Sequence, residues 1–84
     1  MIRWDEEKSA WLKRERGMSF EEAVQGEYLR LLRHPKRAGQ WLFLIKVDGY
    51  VWVAPCVYDG KEWFLKTLFP SRKYTEKLKR GELP

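Results

Sequence analysis

The sequence predicts an α+β domain: two N-terminal helices packed on a three- to four-stranded antiparallel sheet, a meander, followed by a short basic helix. Three observations predict it. Residues 5–17 and 19–26 carry helix start and stop signals. Asp48-Gly49 and Asp59-Gly60 divide the second half into three runs rich in β-branched and aromatic residues. The chain, 84 residues with 44% hydrophobic and 15% aromatic content, is long enough for one core and too hydrophobic for disorder. Residues 1–84 therefore read as a single domain.

Met1 to Trp4 forms a short strand or an extended lead-in. Asp5 is placed to cap a helix over residues 6–16, with Glu6 and Glu7 in the first turn, Lys13, Arg14 and Arg16 in the last, and Gly17 as the stop. Ser19 and Glu22 have the spacing of a capping box, so a second helix starts there; Phe20, Ala23 and Val24 supply its apolar stripe, and Gly26 ends it. Tyr28 to Arg33 either prolongs this helix or forms a strand, and Gly26 before it with His34-Pro35 after it favours the strand. Residues 34–39 form a loop.

Residues 41–47, 50–58 and 61–69 form the meander, with each Asp-Gly pair read as a two-residue turn. That register sets Val47 opposite Tyr50 and Tyr58 opposite Lys61. One face then carries Phe43, Ile45, Val47, Tyr50, Trp52, Ala54, Cys56, Trp63, Leu65 and Phe69, and the two helices are assigned to it. The other, with Leu42, Leu44, Val51, Val53 and Leu68, is expected to stay partly open, with Lys46 and Lys66 flanking Val53. Pro55 removes a ladder donor and predicts a bulge or bend. Ser71 caps a basic helix to about residue 80.

The single cysteine, Cys56, cannot form an internal disulfide and fits a core position in a reducing compartment. The first residues lack an apolar signal core, and the apolar stretch from Trp41 to Ile45 is too short to span a bilayer, so a cytoplasmic protein with no membrane partner is expected. Formal net charge is +5, distributed unevenly: residues 1–27 carry seven acids and five bases, residues 28–84 five acids and twelve bases. The basic part is where a polyanion would bind.

Nucleotide-binding loops and HExxH are absent, one His and one Cys leave a conventional zinc set incomplete, and nothing places His34 near a serine. Neither a metal nor another cofactor is implied. What remains is basic and aromatic surface of the kind used by RNA binders and metal-independent ribonucleases, in which cations neutralise the phosphate and aromatic rings stack a splayed base. Arg72, just past the last strand, can clamp a phosphate, and Lys66 projects from the sheet. His34, Glu76 and Tyr74 can transfer protons. Lys46, Lys73 and Arg37 are candidate RNA contacts, and Trp41 is the tryptophan expected to be exposed for stacking.

Trp4-Asp5-Glu6-Glu7-Lys8, followed by Arg16-Gly17-Met18-Ser19-Phe20-Glu21-Glu22-Ala23, resembles the N-terminal signature of BrnT-type toxins, and Phe64 to Lys73 resembles their last strand and Ser-x-Arg segment. Arg16 stands where that family has a histidine, and Phe69-Pro70 is inserted before Ser71-Arg72. The resemblance implies a RelE-like ribonuclease fold, mRNA as substrate and an antitoxin partner within a type II toxin–antitoxin system, as a hetero-oligomer or with a homodimeric toxin. It implies an active-site role for Lys66, Arg72 and Glu76. A non-catalytic RNA-, DNA- or protein-binding module of the same fold is the competing expectation.

Overall fold

In the computed structural model, which describes residues 1–84, a short strand β1 (Ile2–Arg3) leads into α1 (Glu6–Arg16) and α2 (Phe20–Val24). Both helices start where their caps place them. The Asp5 carboxylate accepts from the Glu7 and Lys8 N–H groups at 2.8 and 3.2 Å, and Gly17 closes α1 at φ 78°, a left-handed conformation that costs glycine little. Ser19 and Glu22 form the reciprocal capping box, and Glu22 also pairs with Lys13 at 2.8 Å. These bonds, that to Lys13 foremost and then that from the Ser19 N–H, hold the Glu22 carboxyl down at about 2 instead of 4.5.

A carboxylate with a depressed folded-state pKa stabilises the fold above its unfolded pKa and loses that contribution as the pH falls. The contribution of Glu22 is therefore expected to decline from about pH 4.5 down to about 2. Urea denaturation across that window should show a smaller acid-induced loss for Glu22→Gln than for the native chain. An identical pH profile would mean that the Lys13–Glu22 contact does not survive in solution.

The remaining elements are β2 (Glu27–Arg33), β3 (Gln40–Val47), β4 (Tyr50–Tyr58), β5 (Trp63–Leu65), β6 (Phe69–Pro70) and α3 (Arg72–Lys79). The strand expected at Tyr28–Arg33 is present as β2. The sheet is larger than a three- to four-stranded antiparallel meander: it has six strands in the order β1-β5-β4-β3-β2, with β6 also beside β4. It is also mixed, because the N-terminal lead-in pairs with β5 in parallel. A two-residue strand has no periodicity to read, so only the folded chain reveals this pairing.

The two Asp-Gly pairs make different turns. Asp48 (φ 51°) and Gly49 (φ 81°) form the expected two-residue turn, with Val47 opposite Tyr50. At the second, the Asp59 carboxylate accepts from the Lys61 and Glu62 N–H groups and the Asp59 N–H donates to the Glu62 carbonyl, so the loop takes four residues. Tyr58 therefore faces Trp63, not Lys61. The slip is two residues, which keeps Trp63 and Leu65 on their expected face.

The run expected as one strand over 61–69 is broken between β5 and β6. Lys66 N–H donates to the Pro55 carbonyl at 2.8 Å, but proline has no N–H to return to Lys66, and the ladder stops there. Leu68 then drops into the core, fully buried, while Arg16 holds the excursion through the Leu68 carbonyl (2.7 Å) and the Thr67 hydroxyl (3.2 Å). Leu68 thus lies on the opposite face from the one expected. So does Phe69, which pairs with Val53 and occupies the place expected for Lys66. Lys46 lies opposite Val51, as the register requires, but Lys66 lies opposite Pro55, so the two do not flank Val53.

Helices cover both faces. Leu12, Phe20 and Ala23 from α1 and α2 bury Trp52, Ala54, Cys56, Leu65 and Leu68. On the other face Leu42, Leu44, Val51 and Val53 are not left open: Tyr74 and Leu78 of α3, with Leu83, lie over them beside Leu29 and Leu32. Cys56 is a buried core residue, and burial pushes its thiol up to about 11. No helix is long and apolar enough to cross a membrane.

Candidate nucleic-acid interface

The His34 ring organises the β2–β3 loop. Its Nδ1 accepts from the backbone N–H groups of Lys36 and Arg37, both at 3.1 Å, while the backbone N–H of His34 donates to the Gln40 carbonyl at 2.9 Å. Pro35 starts the turn by withholding the helical option from His34. With Nδ1 occupied as an acceptor, the neutral ring carries its proton on Nε2. His34 therefore presents a donor, not a free lone pair.

This loop faces the point where Pro55 interrupts the ladder. His34, Lys36, Arg37, Gln40, Pro55, Lys66 and Thr67 line a shallow basin of about 500 Å³ beside the area covered by α3. Pro55 places it there, since the release of the ladder after Lys66 leaves that residue exposed at the sheet surface. None of Lys36, Arg37 and Lys66 takes part in an ion pair, and the basin has no acidic lining. Uncompensated cations and an N–H donor converging on an open concavity are suited to a phosphate group.

The structure therefore brings together three of the sequence-derived candidates, His34, Lys66 and Arg37. The others lie elsewhere. Ser71 N–H bonds the Val51 carbonyl, four residues along β4 from Pro55, which puts the start of α3 about 13 Å from Lys66 along the strand. Arg72 is exposed at that start. Glu76, one turn later, meets Arg80 at 3.9 Å. Lys73 lies over the Tyr74 ring, and Lys46 pairs with Glu27 at 3.4 Å.

Trp41 is on the other face of the sheet, half-buried against Trp63 and under the Arg33 guanidinium; the exposed tryptophan is Trp11, flanked by Lys8 and Arg16. Lys36, Gln40 and Thr67 were not singled out by sequence. The signal for Lys36 was adjacency to His34-Pro35 in a basic loop, but Thr67 joins only through the break that Pro55 causes.

A second feature lies on the face that carries α1 and α2. These helices cover the half towards Trp52 and Leu68, and the other half is aromatic. Tyr28, Phe43, Trp63, Trp41 and Tyr58 form a connected series with ring centroids 4.8–5.9 Å apart, and Tyr28 and Tyr58 are largely exposed. An apolar cavity of about 70 Å³ lies beside it, lined in part by Ile2, Val24, Ile45 and Leu65.

No group of three or more His, Cys, Asp or Glu side chains that could hold a metal ion is assembled. Fold and basin together define an α+β domain with a basic, acid-free surface basin. No family model, curated protein or solved structure matches the chain.

Proposed function

We propose that this protein is the toxin component of a type II toxin–antitoxin pair, a metal-independent endoribonuclease that takes the phosphodiester of mRNA into the His34–Lys66 basin. The observation that carries the reading is the acid-free convergence of His34, Lys36, Arg37 and Lys66. In ribonucleolytic transfer the 2′-hydroxyl gives its proton to water, its oxygen attacks phosphorus, the P–O5′ bond breaks and the 5′-oxygen leaves as an alcohol with a proton from water, while negative charge grows on the non-bridging oxygens in between. Lys66 and Arg37 would neutralise that charge, and the His34 Nε2–H would donate to the same oxygens. The antitoxin would cover the aromatic half of the opposite face, where Tyr28 and Tyr58 are exposed beside an apolar cavity.

One observation favours a second reading, a non-catalytic RNA-binding module. The basin contains no carboxylate, the His34 acceptor nitrogen is occupied, and Glu76 lies on α3 against Arg80. No base stands ready for the 2′-hydroxyl proton.

A combined experiment separates the two. Under the toxin reading, expression of the native chain arrests bacterial growth and the purified protein cuts RNA. Lys66→Ala with Arg37→Ala should relieve the arrest and slow cleavage by about a hundredfold, the usual cost of losing charge stabilisation in a transition state. Salt-sensitive RNA binding without cleavage selects the binding module. A harmless protein that binds no RNA at low salt sinks both.

A further inference from the structure

Phe64 is an exposed aromatic residue on the same sheet face as the basin. Its partner in β4 is Val57, and the Pro55–Lys66 contact continues the same ladder, so the Phe64 and Lys66 side chains project from one face about 7 Å apart. The apolar residues of α3 lie over Leu42, Leu44, Val51 and Val53, and Phe64 stays 38% exposed. On its other side lies Arg3, opposite it in β1, and the Arg3 guanidinium is bound to Glu62 at 3.2 Å.

A lone exposed phenylalanine needs no explanation. One set about 7 Å from an uncompensated cation cluster does. At its other end Arg3 and Glu62 neutralise each other, so a phosphate is drawn to the basin end, where the cations have no acidic partner, and an uncharged planar ring is left to lie over Phe64. We infer that Phe64 is the base-stacking platform of the basin, taking an unpaired nucleobase whose phosphate lies on Lys66 and Arg37. The inference rests on the RNA reading above and sharpens it: the ligand is a single strand, because a base held in a duplex cannot lie flat on the sheet.

The test compares a short polyuridine strand with an RNA duplex of equal length, measuring dissociation constants over a range of salt for the native chain, Phe64→Leu, Phe64→Tyr and Lys66→Ala. Phe64→Leu keeps the apolar bulk but removes the π face, and is expected to weaken single-strand binding about tenfold. Its salt slope should match that of the native chain, because the slope counts phosphates. Duplex binding should be unchanged, and Phe64→Tyr should bind the single strand as the native chain does. Lys66→Ala should weaken both ligands and reduce the slope by about one.

Native-level single-strand binding by Phe64→Leu, alongside a weakened Lys66→Ala, would overturn the stacking role and leave the RNA reading standing. Equal weakening of both ligands by Phe64→Leu would mark Phe64 as structural and overturn it too. A native chain that binds neither RNA removes the stacking role and the RNA reading together.

Discussion

Phe20→Ala is expected to destabilise the protein by about 3–5 kcal/mol, the usual cost of emptying a buried aromatic site. Phe20 is fully buried, opens α2, stacks against Trp4 with ring centroids 5.8 Å apart, and belongs to the cluster that holds α1 and α2 on the sheet. Its backbone is tied as firmly as its ring. The Phe20 N–H, which α2 cannot satisfy itself, donates to Ser9 Oγ at 2.9 Å, and that hydroxyl donates to Glu21 at 2.7 Å. Alanine keeps that backbone bond, so the loss measures the ring alone: its contact with Trp4 and the cavity it leaves in the cluster. Against a total stability of about 4–13 kcal/mol for a chain of this length, the loss is large. Urea denaturation followed by tryptophan fluorescence should show a lower midpoint with an unchanged slope. A loss below about 1 kcal/mol would show that the ring site collapses after truncation or that Phe20 is not a core residue in solution.

What was legible in the sequence was whatever a local signal decides. Asp5, Gly17, Ser19 and Glu22 act on backbone groups within four residues of themselves, and the helices start and stop where those residues say. Asp48-Gly49 forces positive φ at both positions and so sets the β3–β4 register. Asp59-Gly60 looks the same but is not. There the carboxylate bonds to the Lys61 and Glu62 N–H groups, which competes with the two-residue turn and wins. The Pro55 irregularity was legible as a disturbance but not as to which strand would yield. The partner did, and this is what brings Thr67 into the basin. Of the site, His34, Arg37 and Lys66 could be named from residue type, yet their convergence depends on the β2–β3 loop meeting the end of β5 across β4. No local spacing encodes that meeting. Arg72 is a candidate because it follows the sheet closely in sequence, and Glu76 because it can transfer a proton and matches the toxin pattern, whereas α3 carries both away along β4.

Deleting residues 71–84 is expected to abolish cooperative folding. The sequence leaves the sheet face beneath α3 partly open because the two N-terminal helices can cover only one face, and the basic C-terminal helix, with Lys73, Lys77, Lys79 and Arg80, is assigned to neither. Its buried stripe has helical spacing, Ser71, Tyr74, Thr75 and Leu78, but half of it is polar. The polar half has a definite task. Ser71 N–H donates to the Val51 carbonyl at 2.9 Å and Thr75 Oγ1 accepts from the Val51 N–H at 2.8 Å, so both backbone groups of a fully buried residue are satisfied by α3. Tyr74, Leu78 and Leu83 contribute apolar cover at roughly 1.5–3 kcal/mol for each side chain fully buried. Their loss also uncovers Leu42, Leu44, Val51 and Val53, so the total approaches the whole stability of an 84-residue domain. A chain ending at Pro70 should melt without a sigmoidal transition and bind a hydrophobic dye. A narrower probe isolates the polar contact: Thr75→Val keeps the shape but strands the Val51 N–H, at about 1–3 kcal/mol. If the shortened chain melts cooperatively near the native midpoint, α3 is an appendage and the face beneath it is stable in water. If only the Thr75→Val cost is absent, the helix is held by its apolar stripe alone.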